Sequence, residues 1–148
     1  MSLSHFVTIN PTTDEQMEEF AYFTSQETEA VIARGDKAFR SYSRLPIFER
    51  AKLLSNLATV LRRNKAQLAD VVTREMGKIL SEAEAEVEKC AWEADWYAEH
   101  GPQILANTPA PTGGVEAYVS FHPLGLILGI MPWNSRCGRR RGWAFRLC

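Results

Sequence analysis

The stretch Pro123-Leu124-Gly125-Leu126-Ile127-Leu128-Gly129-Ile130-Met131-Pro132-Trp133-Asn134 constrains this chain more than any other. Leu124 to Ile130 does not alternate apolar with polar residues. It is apolar on both faces, the pattern of a strand inside a parallel sheet covered by helices. It then runs into the stiff pair Pro132-Trp133, with the amide of Asn134 at the mouth of the turn. A strand of this kind requires covering helices, so the fold class predicted is α/β.

The length of 148 residues suits one domain with a core of its own. The formal net charge of -1 names no partner, but it hides an asymmetry. Residues 1–134 hold all 18 acidic residues against 12 Lys+Arg, whereas residues 135–148 hold five arginines and no acid. The longest apolar run, Leu124 to Met131, falls well short of the roughly 20 residues that span a bilayer. The opening Met1-Ser2-Leu3-Ser4-His5-Phe6 lacks a basic region followed by an apolar stretch, so no signal peptide is expected. Three cysteines without a spacing pattern argue against a disulfide framework and for a reducing, cytoplasmic setting.

Local patterns predict the elements that surround the strand. Phe6 to Ile9 alternates and ends at the turn dipeptide Asn10-Pro11, as a short strand or hairpin arm does. Thr24 or Ser25 caps a helix whose apolar side is Ala30, Val31, Ala33, Ala38 and Phe39, ending near Leu45-Pro46. Pro46 suits the first turn of the next helix, where its missing N–H is harmless. Leu53, Leu54, Leu57, Val60 and Leu61 then mark an amphipathic stripe, with Arg50, Lys52, Arg62 and Arg63 off it. Asn64 breaks that helix. Leu68, Val71, Val72 and Met76 continue a shorter one, stopped by Gly77 in the left-handed conformation.

Ser81-Glu82-Ala83-Glu84 has capping-box spacing and opens a long helix, stopped by Gly101-Pro102. Val87, Ala91, Ala94 and Ala98 give that helix a narrow face of small residues, fit for close approach to another element. A Pro/Gly/Thr-rich connection, 107–114, leads to Val115-Glu116-Ala117-Tyr118-Val119-Ser120-Phe121. That segment alternates, with Val115, Ala117, Val119 and Phe121 on one side, as one arm of a hairpin does.

A series of segments resembles the aldehyde dehydrogenase family. Gly129-Ile130-Met131-Pro132-Trp133-Asn134 is similar to its signature loop, and His122-Pro123-Leu124-Gly125 to the lead-in of the same strand. Glu75-Met76-Gly77-Lys78 resembles its Glu-x-Gly-Lys element. The helix with Arg50, Leu53 and Leu54, and the acidic helix ending at Trp96-Tyr97-Ala98, follow the family's order and spacing, as does the opening Ile9-Asn10-Pro11. The branch acting on succinate semialdehyde is nearest in flavour.

The resemblance implies a truncated Rossmann-like cofactor-binding domain, its helix-rich N-terminal part, spanning residues 1–134. It implies NAD- or NADP-dependent oxidation of an aldehyde to a carboxylic acid through a cysteine thiolate and a thiohemiacetal. Asn134 is then the catalytic amide that donates to the developing oxyanion, a neutral donor that stabilises charge without losing a proton. The backbone of Ile130, Met131, Pro132, Trp133 and Asn134 lies beside the nicotinamide ribose. Residues 115–123 belong to a hairpin used in subunit pairing, so full-length relatives are expected to be homo-oligomers. The family's nucleophile, its general-base glutamate and most of its dinucleotide site lie downstream of any match here. Gly125 and Gly129 do not form G-x-G-x-x-G. The isolated chain is therefore expected to be inactive and, with its strand unpaired, partly molten. An alternative is a non-catalytic assembly module that pairs with full-length subunits.

Other features have plainer readings. Glu82, Glu84, Glu86 and Glu88 point to different helix sides with no histidine among them, so a solvated face is expected rather than a metal site. Cys90 reads as a small buried hydrophobe. Trp92 and Trp96 read as packing residues. His5, His100 and His122 are scattered. Arg139-Arg140-Arg141 reads as a solvated or out-of-frame run, with no nucleic-acid partner and no membrane expected.

The tail, 135–148, departs from the family abruptly. The family continues Phe-Pro-Leu-Trp-Gln, which a gene can spell TTC CCG CTG TGG CAG. Losing one T yields a frame that reads Ser-Arg-Cys-Gly-Arg when G or A follows, matching Ser135 to Arg139. A frameshift just past Asn134 is thus expected. Sequencing the DNA there tests it: one inserted base must restore a Phe-Pro-type continuation, and failure to do so excludes the frameshift.

Overall fold

The computed structural model describes residues 4–113 and 116–130. In chain order these form β1 (His5–Ile9), β2 (Gln16–Ala21), α1 (Ser25–Tyr42), α2 (Ile47–Arg63), α3 (Lys65–Met76), α4 (Leu80–Ile104), β3 (Thr108–Pro109) and β4 (Tyr118–Val119). The strands make two separate antiparallel pairs, β1 with β2 and β3 with β4.

The helices begin and end for identifiable reasons. Thr24 caps α1 in a full capping box. Its hydroxyl accepts from the Glu27 N–H at 3.2 Å, and its own N–H donates to Glu27 Oε2 at 2.8 Å. That helix stops at Tyr42, three residues earlier than the sequence pattern implied. Pro46 caps α2 from just outside, and Asn64 both ends α2 and starts α3. The Asn64 side-chain amide donates to the Val60 carbonyl at 2.8 Å, which satisfies one of the groups left open at a helix end. Gly77 ends α3 at φ 68°, as expected of a left-handed stop.

Two expectations fail on α4. The helix starts at Leu80, and no side chain caps it, so Ser81 lies inside the first turn rather than before it. At the other end Gly101-Pro102 does not stop the helix, which continues to Ile104. The donor that proline lacks falls in the last turn, where bonds fray anyway, and Leu105 N–H closes the end on the Gly101 carbonyl at 3.0 Å.

The core lies along one side of α4. Leu54 and Ala58 of α2 pack on Ala91 and Ala94, with Leu61, Tyr97 and Ala98 around them. Ala69 and Val72 of α3 pack on Ala83, with Met76 beside them. The small-residue face predicted from Val87, Ala91, Ala94 and Ala98 is therefore the packed one, extended by Ala83 and Cys90. Small side chains let backbones approach closely, but each buries little area, and Val87 and Cys90 are the largest fully buried side chains.

The predicted stripe on α2 divides in two. Leu54 and Leu61, together with Ala58, turn toward α4, whereas Leu53, Leu57 and Val60 remain exposed on a neighbouring strip. In α1 no residue is buried, and Ala30, Val31, Ala33 and Ala38 all lie exposed. Trp92 is also exposed, while Trp96 stacks on His100 at 4.5 Å and meets Tyr97 edge-on at 5.0 Å.

Strand β2 has no alternating pattern of its own. It pairs with β1 through Phe6 on Phe20 and His5 on Ala21, and the Phe6 ring stacks on Phe20 at 5.1 Å. The predicted hairpin further along exists as β3 with β4, shorter than the alternation suggested, and the Ala110 N–H extends it by donating to the Ala117 carbonyl at 2.9 Å. Ala117 is half-buried, Val119 and Phe121 are exposed, and Val115 lies outside the described residues.

Replacing Ala91 with leucine should force α2 off α4 and lower unfolding stability by about 1–3 kcal/mol. Trp92→Ser, at the adjacent exposed position, should shift it by no more than about 0.5 kcal/mol. Denaturant midpoints of the two variants check this; equal midpoints would exclude the alanine face as the packing surface.

Candidate functional site

Leu124 to Ile130 is not a strand. The segment has no ladder partner, because the strands among the described residues pair in two antiparallel couples elsewhere. A parallel strand without a neighbour leaves its N–H and C=O groups to water, so nothing holds the extended form. Leu128 and Ile130 are 85% and 89% exposed.

Gly125 and Leu126 lie against α1. Gly125 adopts φ 103°, a conformation that side chains other than hydrogen rarely take. A Cβ there would sit 3.7 Å from the Phe39 ring. Leu126 lies over Gly35, in the middle of α1, where a Cβ would come within 2.9 Å of Leu126 Cδ1. Gly35 and Phe39 are the half-buried positions in the middle of α1. Sequence reasoning did not single out Gly35; a lone glycine inside a helical pattern was the available signal.

Of the five loop residues expected to act, Ile130 is described and stands exposed at the end of this segment. Met131, Pro132, Trp133 and Asn134 lie outside the described residues, as do Cys137, Cys148 and the arginine run. The described residues fit a cofactor in one respect only. The exposed Ile130 is available as part of a wall, but no glycine-rich turn between strand and helix stands ready for phosphates among them.

Cys90 is fully buried in α4, as expected, and has no access to a substrate. The histidines have local partners. His5 Nε2 lies 3.5 Å from Glu19, His100 Nδ1 lies 2.9 Å from the Trp96 carbonyl, and His122 Nε2 lies 3.1 Å from Ser120 Oγ. None of them faces a cysteine among the described residues.

Glu75-Met76-Gly77-Lys78 forms a corner. A Cβ on Gly77 would lie 3.2 Å from Pro11 Cγ, so the turn after β1 rests against the end of α3. Glu75 is buried, and Lys78 pairs with Glu86 at the start of α4. The acidic run on α4 is therefore not a uniformly solvated face. Glu88 accepts from Arg62 Nε at 2.8 Å, with Lys65 at 3.6 Å, and Arg62 Nη1 also reaches Asp95 at 2.6 Å. The Arg62 hydrogen bond holds the Glu88 carboxyl below its ordinary value, and the same bond pushes Arg62 up. These pairs tie α2 and α3 to α4 and leave no grouping of His, Cys, Asp and Glu suited to a metal among the described residues.

A family model described as "Aldehyde dehydrogenase family" matches residues 1–138. The chain belongs to the aldehyde dehydrogenase family. It is 38% identical over 131 residues to the succinate semialdehyde dehydrogenase [NAD(P)+] Sad of Escherichia coli K12, covering 88% of this chain and 28% of that protein. It is 40% identical over 129 residues to the succinate-semialdehyde dehydrogenase [NADP(+)] of Deinococcus radiodurans, covering 87% of this chain and 27% of that one. The chain thus spans little more than a quarter of these relatives.

Among solved structures it resembles the Streptococcus pyogenes succinic semialdehyde dehydrogenase in complex with NADP+. The TM-score is 0.71 at 33% identity, over 76% of this chain and 25% of that one. HpcC from Thermus thermophilus shares the fold at TM-score 0.80 and 23% identity, over 90% of this chain and 26% of that one. The helix-rich α/β arrangement is thus an aldehyde dehydrogenase architecture. No described helix is long and apolar enough to cross a membrane.

Because folding lowers the Glu88 carboxyl, the unfolded chain binds the proton more readily. The stabilisation is full above the ordinary value of 4.5 and fades as pH drops below it. Arg62→Ala should therefore lower the denaturation midpoint at neutral pH, with the gap to wild type closing below 4.5. A gap that stays constant across that range would exclude the pair as its source.

Proposed function

We propose that residues 1–134 are the N-terminal part of the NAD(P)-binding domain of an enzyme that oxidises an aldehyde, succinate semialdehyde foremost, to its carboxylic acid. The observation that carries this reading is the family match over residues 1–138, with 38% identity to one succinate semialdehyde dehydrogenase and 40% to another. The E. coli and Deinococcus relatives are named for NAD(P)+ and NADP(+), and the Streptococcus structure holds NADP+. NAD(P)+, when bound, accepts the two electrons and the hydrogen of the aldehyde carbon.

This chain's own residues position and polarise. The segment seated on α1 leads directly into Ile130-Met131-Pro132-Trp133-Asn134. Its backbone would hold the nicotinamide ribose, and Pro132 and Trp133 would restrict the chain there. The Asn134 side chain donates an N–H to the carbonyl oxygen as negative charge develops, which lowers the barrier without a proton transfer. None of the three cysteines matches the family's nucleophile in its context: Cys90 is buried in the helix core, and Cys137 and Cys148 lie in 135–148, where the family pattern is left. The 148 residues by themselves therefore do not turn over an aldehyde. A reducing, cytoplasmic setting suits the free thiol of Cys90.

A second reading, a non-catalytic module that pairs with full-length subunits, is favoured by the β3–β4 hairpin. Tyr118 and Val119 stand exposed on β4, which pairs with β3 alone among the described residues, and Phe121 just after it is exposed too. Co-purification with an intact relative tests it.

The catalytic reading is tested by joining residues 1–134 to the remainder of the Deinococcus enzyme. The chimera should oxidise succinate semialdehyde with NADP+, and Asn134→Ala should lower kcat about 10²–10³-fold. An Asn134→Ala chimera with undiminished kcat would exclude the oxyanion role.

A further inference from the structure

No further inference is drawn: the strongest candidate, the exposed apolar strip of Leu53, Leu57 and Val60 on α2, carries nothing because nothing among the described residues shows what covers it.

Discussion

The packed helix layer, α2 and α3 on α4, depends on how closely its helices approach. Alanines at 58, 69, 83, 91 and 94 are fully buried, and they are small enough to bring helix backbones together. The same smallness limits the hydrophobic gain, because an alanine methyl removes little surface from water. Ion pairs around the contact do what larger side chains do elsewhere. Arg62, Lys65 and Lys78 on one side meet Glu88, Asp95 and Glu86 on the other. The pairs of Arg62 and Lys65 are partly exposed and add direction and register more than strength, whereas Lys78–Glu86 is largely buried.

That arrangement leaves much apolar surface uncovered. Leu53, Leu57, Val60 and Val71 stand exposed beside the packed seam, and so does Trp92. A helix layer of an α/β fold is normally closed by a sheet, whose strands need each other before they need the helices. Here the one segment with the composition of such a strand lies against α1 as irregular chain. Its contact is steric and local, through Leu126 and Gly125, rather than a ladder of backbone hydrogen bonds.

The elements legible in the sequence were those fixed by local chemistry. Thr24, one of the two caps the sequence offered, Asn64 and Gly77 each impose a helix end through a hydrogen bond or a backbone conformation, and Glu27 completes the box at Thr24. The alanine face of α4 was readable because the spacing of its residues matches the helix turn. What failed depended on partners. Leu124 to Ile130 has strand composition, but a strand exists only when another chain segment accepts its hydrogen bonds. Leu53 and Leu57 share a stripe with Leu54, yet which strip is covered depends on where α4 lies. Strand β2 was missed because Gln16 to Ala21 mixes two glutamates with its apolar residues. The stack of Phe6 on Phe20 that joins it to β1 links residues distant in sequence. For the site, the loop motif named a family, whereas the approach of Leu126 to Gly35 joins residues too far apart in sequence to be read from it.

Asn64 has a further consequence. It closes α2 and opens α3 with no spacer, so the two helices share one continuous count of residues. Evolution can lengthen most surface connections freely, but not this one. An extra residue at the joint would swing α3 about its axis by about 100°. Ala69 and Val72 would then face water, and the α3 half of the contact with α4 would vanish while the α2 half remained intact. The joint behaves as a gear tooth, and its tolerance to insertion is set by helical pitch rather than by loop chemistry.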